Sequence, residues 1–182
     1  MNKKKSTAGA AKSVALSGIL SALCFVIMYI GAVTDILDLS VVVLSALIVV
    51  VAVIELGGRY PWMIWLVASI LCMLFLPRKD IALEFVLFGG VYPMIKSLVE
   101  RLPVVLAWIL KLAYFNAVFT AWFFLSVRFF GIGTDVIGVK LGTVAYLAAN
   151  AFFIFTDVCF SFMISAYMTR LRKKFKFGKN KS

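Results

Sequence analysis

Six apolar runs, spanning 13–33, 39–56, 62–76, 81–102, 103–127 and 143–168, leave this chain very few ways to fold. An α-helix rises about 1.5 Å per residue, so about 20 apolar residues cover a bilayer's hydrocarbon thickness. In hydrocarbon, every backbone N–H and C=O must find a partner within the protein, which restricts spanning segments to helices or closed barrels. Runs of this length without alternating polarity predict helices. The short connections between them predict antiparallel neighbours, and the expectation is an all-α integral membrane protein: a single membrane domain, 1–182, built as a six-transmembrane-helix bundle.

Composition supports this and removes a competing idea. Of the 182 residues, 64% are hydrophobic and 15% charged, too few charges to coat a globular surface of this size. The net charge of +11 suggests nucleic acid until the charges are located. They cluster at the two ends, in Lys3, Lys4, Lys5 and Lys12 before the first run and in a tail, 169–182, carrying seven Lys and Arg. That distribution suits anionic lipid headgroups at the basic tail and argues against nucleic acid. With an even number of crossings both termini share a side. Placing them in the cytoplasm puts 15 of the 19 Lys and Arg inside and leaves Arg78, Lys79, Arg128 and Lys140 outside. Residues 1–12 read as a basic cytoplasmic N-terminus, mobile over 1–10, 13–168 as the bundle, and the first run as a span rather than a removable leader.

Helix breakers sharpen the picture. Gly57-Gly58-Arg59-Tyr60-Pro61 ends the second run and Pro77 the third. The fourth run is unusual, because Gly89-Gly90 and Pro93 interrupt its middle. Such a sequence kinks or unwinds a helix, and a bilayer tolerates that only where protein or a watery cavity supplies hydrogen bonds. The segment therefore reads either as a cavity wall or as a kinked packing helix. Residues 129–142 read as a Gly-containing connection.

Catalytic arrangements are hard to find. The chain contains no His, its three Cys residues (Cys24, Cys72, Cys159) lie scattered in apolar runs, and no phosphate-cradling Gly-rich loop is present. Ser17, Ser21, Ser45 and Ser161 have no base near them in sequence. Asp35 and Asp38 read as turn acids. These residues predict no enzyme, no catalytic set, no metal site and no cofactor, and any active transport would need a partner to supply ATP hydrolysis.

Ionisable groups inside spans are costly and are functional candidates by default. Glu55 with Arg59, and Lys96 with Glu100, stand one turn apart and read as local ion pairs. Lys111 and Asp157, both in the inner half of their spans, form a possible intramembrane ion pair. Toward the opposite side, Glu84 and Asn150 accompany Phe85, Phe88, Tyr92, Trp122, Phe123, Phe124, Tyr146 and Phe153; aromatic walls with a few polar groups read either as a small-molecule pocket or as ordinary lipid-facing and interfacial residues.

The first run carries the remaining signal. Ala11, Ala15, Gly18 and Ala22 recur at spacings of four, three and four, so they share one narrow helical face almost without side chains. Such a strip lets another helix approach closely in lipid. It serves either packing within the bundle or docking of a separate subunit.

The pattern resembles the substrate-binding S components of energy-coupling-factor vitamin transporters, six-helix bacterial membrane proteins of about this size. Their first helix bears an Ala-x-x-x-Ala docking strip, matched by Ala11-x-x-x-Ala15 and, with Gly at its first position, by Gly18-x-x-x-Ala22. The resemblance implies a bacterial cytoplasmic membrane location and docking of the first helix on a membrane coupling subunit powered by separate ATPase subunits. It also implies a vitamin held by Glu84, Phe88, Trp122 and Asn150. The chain is also similar in size and expected topology to the rod-shape determinant membrane subunit, which implies a non-catalytic scaffold organising cell-envelope partners.

Overall fold

A computed structural model describes residues 2–34, 38–130, 135–136, 139–140 and 143–171. The chain divides into two compact units, Met1–Ile132 and Gly133–Ser182.

The described residues of the first unit form helices joined by short turns. Helix α1 covers Asn2–Thr34, α2 Asp38–Glu55, α3 Tyr60–Phe75, α4 Lys79–Glu84, α5 Tyr92–Val99 and α6 Val104–Phe130, with a π-helical turn, Phe85–Gly89, between α4 and α5. Helix α1 packs against α2 and α3, and α2 also meets α5 and the π turn. Helix α6 lies along α4, the π turn and α5. The core where α1, α2, α3 and the fourth run converge is built of Cys24, Met28, Val42, Val49, Ile64, Ala68, Cys72, Ile81 and Phe85. Many of its residues are small, as expected where helices gain little from expelling lipid and must gain from close packing. Gly31 shows the closeness: a Cβ there would collide with the Val41 side chain across the α1–α2 contact.

Helix ends follow local chemistry. The α2–α3 turn places Gly57 and Gly58 at φ +62° and +57°, a left-handed conformation that glycine adopts without a steric penalty. Pro61 falls in the first turn of α3, where its missing N–H costs nothing, so it starts a helix as well as following a break. At the other end of α3, Lys79 Nζ donates to the carbonyls of Met73 and Leu74 at 2.7 and 3.3 Å. Carbonyls of a last helical turn have no partner within the helix, and here a cation supplies one.

The second unit contains a two-residue antiparallel ladder, Asp135–Val136 (β1) with Val139–Lys140 (β2), then helix α7, Thr143–Ala166, and a closing π turn, Tyr167–Leu171. Phe153, Thr156, Asp157 and Phe160 recur at three, one and three residues and form a buried stripe along α7.

Among the described residues, four helical stretches, Gly9–Thr34, Lys79–Val99, Val104–Leu125 and Tyr146–Thr169, are long and apolar enough to cross a membrane. Leu39–Glu55 and Tyr60–Phe75 are shorter apolar helices.

Two sequence expectations need correction. Residues 2–12 are helical and belong to α1 rather than forming a mobile lead; their lysines and alanines are good helix formers, and the helix they continue is already nucleated. The 129–142 connection is shorter than expected, since α6 runs to Phe130 and part of the remainder pairs as a ladder. In the fourth run, which its breakers left open as a kinked helix or a cavity wall, a π turn carries helical hydrogen bonding as far as Gly90. Asp35 and most of the basic tail, from Arg172 onward, lie outside the described residues.

Candidate functional site

Wherever an α-helix widens into a π turn, one residue too many is fitted into the turn and carbonyls lose their usual i+4 donors. Here Gly90 N donates to Phe85 O at 2.8 Å, closing the wide turn. Two carbonyls of the turn are taken by aromatic side chains from other helices: Trp65 Nε1 of α3 donates to Val86 O at 3.0 Å, and Tyr114 OH of α6 donates to Leu87 O at 2.6 Å. Protein groups therefore supply the hydrogen bonds that the glycine pair and proline require. The glycines also admit their neighbours, because a Cβ on Gly89 would press on Val42 and one on Gly90 would strike the Trp65 indole.

From this turn an aromatic ladder runs along the α5–α6 contact. Tyr114 stacks on Tyr92 (centroids 6.2 Å), Tyr92 on Phe88 (5.0 Å), and Phe88 meets Phe115 edge-on (5.9 Å). Phe115 then stacks on Phe119 and Phe119 on Trp122, at 5.9 and 6.1 Å. Each such pair contributes about 0.5–1.5 kcal/mol beyond area burial. Trp122 Nε1 donates to Asp80 O at 3.3 Å, fastening the far end of the ladder to the start of α4.

Two of the four expected pocket residues, Phe88 and Trp122, thus belong to one continuous aromatic wall in the first unit. Glu84 sits on α4 at the threshold of the π turn, half-buried, with its Oε2 atom enclosed. Asn150 belongs to the second unit, on α7, where its Nδ2 donates to Tyr146 O at 2.8 Å. The same i→i−4 bond back to the helix recurs at Ser17, Ser21, Asn116, Thr120, Thr156 and Ser161. Polar side chains on apolar helices are made tolerable in this way, by using a carbonyl that already accepts one bond.

A charged group lies at the other end of the α5–α6 hairpin. Glu100 Oε1 receives Lys96 Nζ at 2.7 Å and Lys111 Nζ at 3.2 Å. Both lysines are deeply buried, at 1% and 6% side-chain exposure, while Glu100 is 43% exposed. Lys111 also lies 5.2 Å over the Trp108 ring, a cation–π contact. The Lys96–Glu100 pair was legible as an i,i+4 spacing, whereas Lys111 joins across eleven residues and the Pro103 break. A signal for it existed: a long cationic side chain two turns into α6 extends toward the connection where its charged head can reach a polar partner. Asp157, the partner suggested by sequence, is buried on α7 at 2% exposure.

The small-residue strip of α1 is exposed at all four positions, Ala11, Ala15, Gly18 and Ala22, and a Cβ built on Gly18 would meet nothing within 4 Å. Helix α1 packs into its unit through a different small-residue face, Ser17, Ser21 and Cys24 followed by Met28, about 120° around the helix. Sequence reading singled out the first face and passed over the second. Serine and cysteine at four- and three-residue spacing would have revealed it, had small polar residues been counted beside Ala and Gly. Cys24 Sγ approaches Ser45 O of α2 at 3.7 Å within that contact.

Compared with protein-family models, curated proteins and solved structures, the chain matches none. Among the described residues, no group of three or more His, Cys, Asp or Glu side chains stands together as a metal cage. The fold and composition together define an all-α, membrane-embedded protein, in which several polar side chains on long apolar helices bond back to their own backbones.

Proposed function

We propose that the protein is the substrate-binding membrane subunit of an energy-coupling-factor type importer in the bacterial cytoplasmic membrane. In this reading it is a six-span, non-enzymatic protein with both termini in the cytoplasm. It takes up a vitamin or similar small molecule and docks through α1 on a membrane coupling subunit driven by separate ATPases. The observation that carries the reading is the bare, exposed strip Ala11–Ala15–Gly18–Ala22, next to a second small-residue face that already serves internal packing. A helix that needs only to pack on its own unit has no use for two such faces. The aromatic wall from Phe88 to Trp122, with Glu84 beside it, supplies stacking surface for a flat heterocyclic ligand.

The tagged full-length chain, expressed in a bacterial membrane, should copurify with a coupling subunit and ATPases. The double substitution G18L/A22L should abolish that copurification. A vitamin panel should contain one ligand that raises the melting temperature of both forms; tenfold excess over Kd stabilises by about 1.4 kcal/mol. Persistence of the complex in the double variant would assign the strip to lipid contact alone.

A second reading, a scaffold similar to the rod-shape determinant membrane subunit, is favoured by a different observation. The polar atoms of the ladder, Tyr114 OH and Trp122 Nε1, are already spent on backbone carbonyls, as structural residues would be. A scaffold would show no stabilisation by any vitamin while retaining its cell-envelope partners through the same strip.

A further inference from the structure

We infer that the cleft between the α2–α3 turn and the end of α5 binds the phosphate headgroup of an anionic phospholipid. The cleft holds about 260 Å³, and Gly57, Gly58, Pro61, Trp62, Ser97 and Arg101 are among its lining residues. Arg101 stands in the connection between two stretches long enough to cross a membrane, Lys79–Val99 and Val104–Leu125, which places it at the level of the headgroups. Among the described residues no carboxylate pairs with the Arg101 guanidinium, although Glu100 beside it is engaged by Lys96 and Lys111. Arg59, exposed next to Gly58 at the start of α3, is a second cation on the same turn, where the half-buried Glu55 is the acid.

The walls fit a lipid better than a soluble anion. Trp62 is 44% exposed and Leu98, which also lines the cleft, is 55% exposed, so apolar surface continues from the cleft onto the flank of the unit. An indole at this depth has one apolar and one wet side, as interfacial aromatics do. Gly58 leaves open space where a Cβ would stand, so the turn does not close over the cleft. A guanidinium beside an apolar exit matches a phosphodiester carrying acyl chains.

The test uses the full chain in nanodiscs of phosphatidylcholine with 10–20% phosphatidylglycerol, a composition on the order of one anionic lipid per basic surface group. Native mass spectrometry should show retained phosphatidylglycerol, with retention falling about fivefold in R101Q and little in R128Q, which removes an equal charge from α6. L98W, which fills the cleft without changing charge, should also reduce retention and serves if R101Q does not fold. Equal retention in wild type and L98W, or equal loss in R101Q and R128Q, would overturn the inference. Binding of inorganic phosphate in pure phosphatidylcholine discs, with no preference for phosphatidylglycerol, would overturn the assignment to lipid.

Discussion

Single atoms decide several positions in this chain. Gly90 has an ordinary helical φ of −84°, so its requirement for glycine comes from the Trp65 indole and not from the backbone. Gly90→Ala should force the indole away from Val86 O and lower stability by about 1–3 kcal/mol, read as a fall in the thermal midpoint in detergent. Gly18→Ala, on the open face of α1, should leave that midpoint unchanged or raise it slightly, since alanine is the better helix former. The buried ion pair offers a second residue-scale test. Lys96 is almost fully enclosed, so Glu100→Gln strips a charge partner from a cation that water cannot reach. Combining it with Lys96→Met should destabilise less than the sum of the two single changes, by about 1–3 kcal/mol in a double-mutant cycle.

Among the elements, the interrupted fourth run is the most informative. Its breakers were visible in sequence, and they permitted either an unwound cavity wall or a kink. The structure resolves this with a π turn whose carbonyls are taken by donors from α3 and α6, residues 21 and 27 positions away in sequence. No local pattern in 81–102 encodes those partners. Tyr114→Phe keeps the ring on Tyr92 and removes only the bond to Leu87 O, leaving a carbonyl unpaired in a dry interior. The expected cost is about 1–3 kcal/mol, measured by the same unfolding assay, with circular dichroism showing unchanged helicity. Helix limits were read from sequence to within a few residues for α2 and α3, because Gly57-Gly58 and Pro77 mark them. They were misread at α1, where basic residues that look like a tail continue the helix.

At the scale of the whole molecule, membrane embedding follows from the mismatch between apolar content and available surface, and the partner-binding question rests on α1. G18L/A22L adds two large side chains to a face that is exposed among the described residues, so the isolated protein should keep its stability within about 0.5 kcal/mol while losing a copurifying subunit. A parallel loss of stability would instead show that the strip packs internally.

Hydropathy and breaker residues alone determined the class of protein, the approximate helix limits, the Lys96–Glu100 pair and the four-residue strip, because each depends on spacing along one helix or on bulk transfer from water. Tertiary structure decided which face of α1 is used for packing, which donors complete the π turn, how Phe88 and Trp122 join through Phe115 and Phe119, and that Lys111 shares Glu100 with Lys96. Those contacts connect residues far apart in the chain. Only the close approach of helices, set by where Gly31, Gly89 and Gly90 leave room, brings them together.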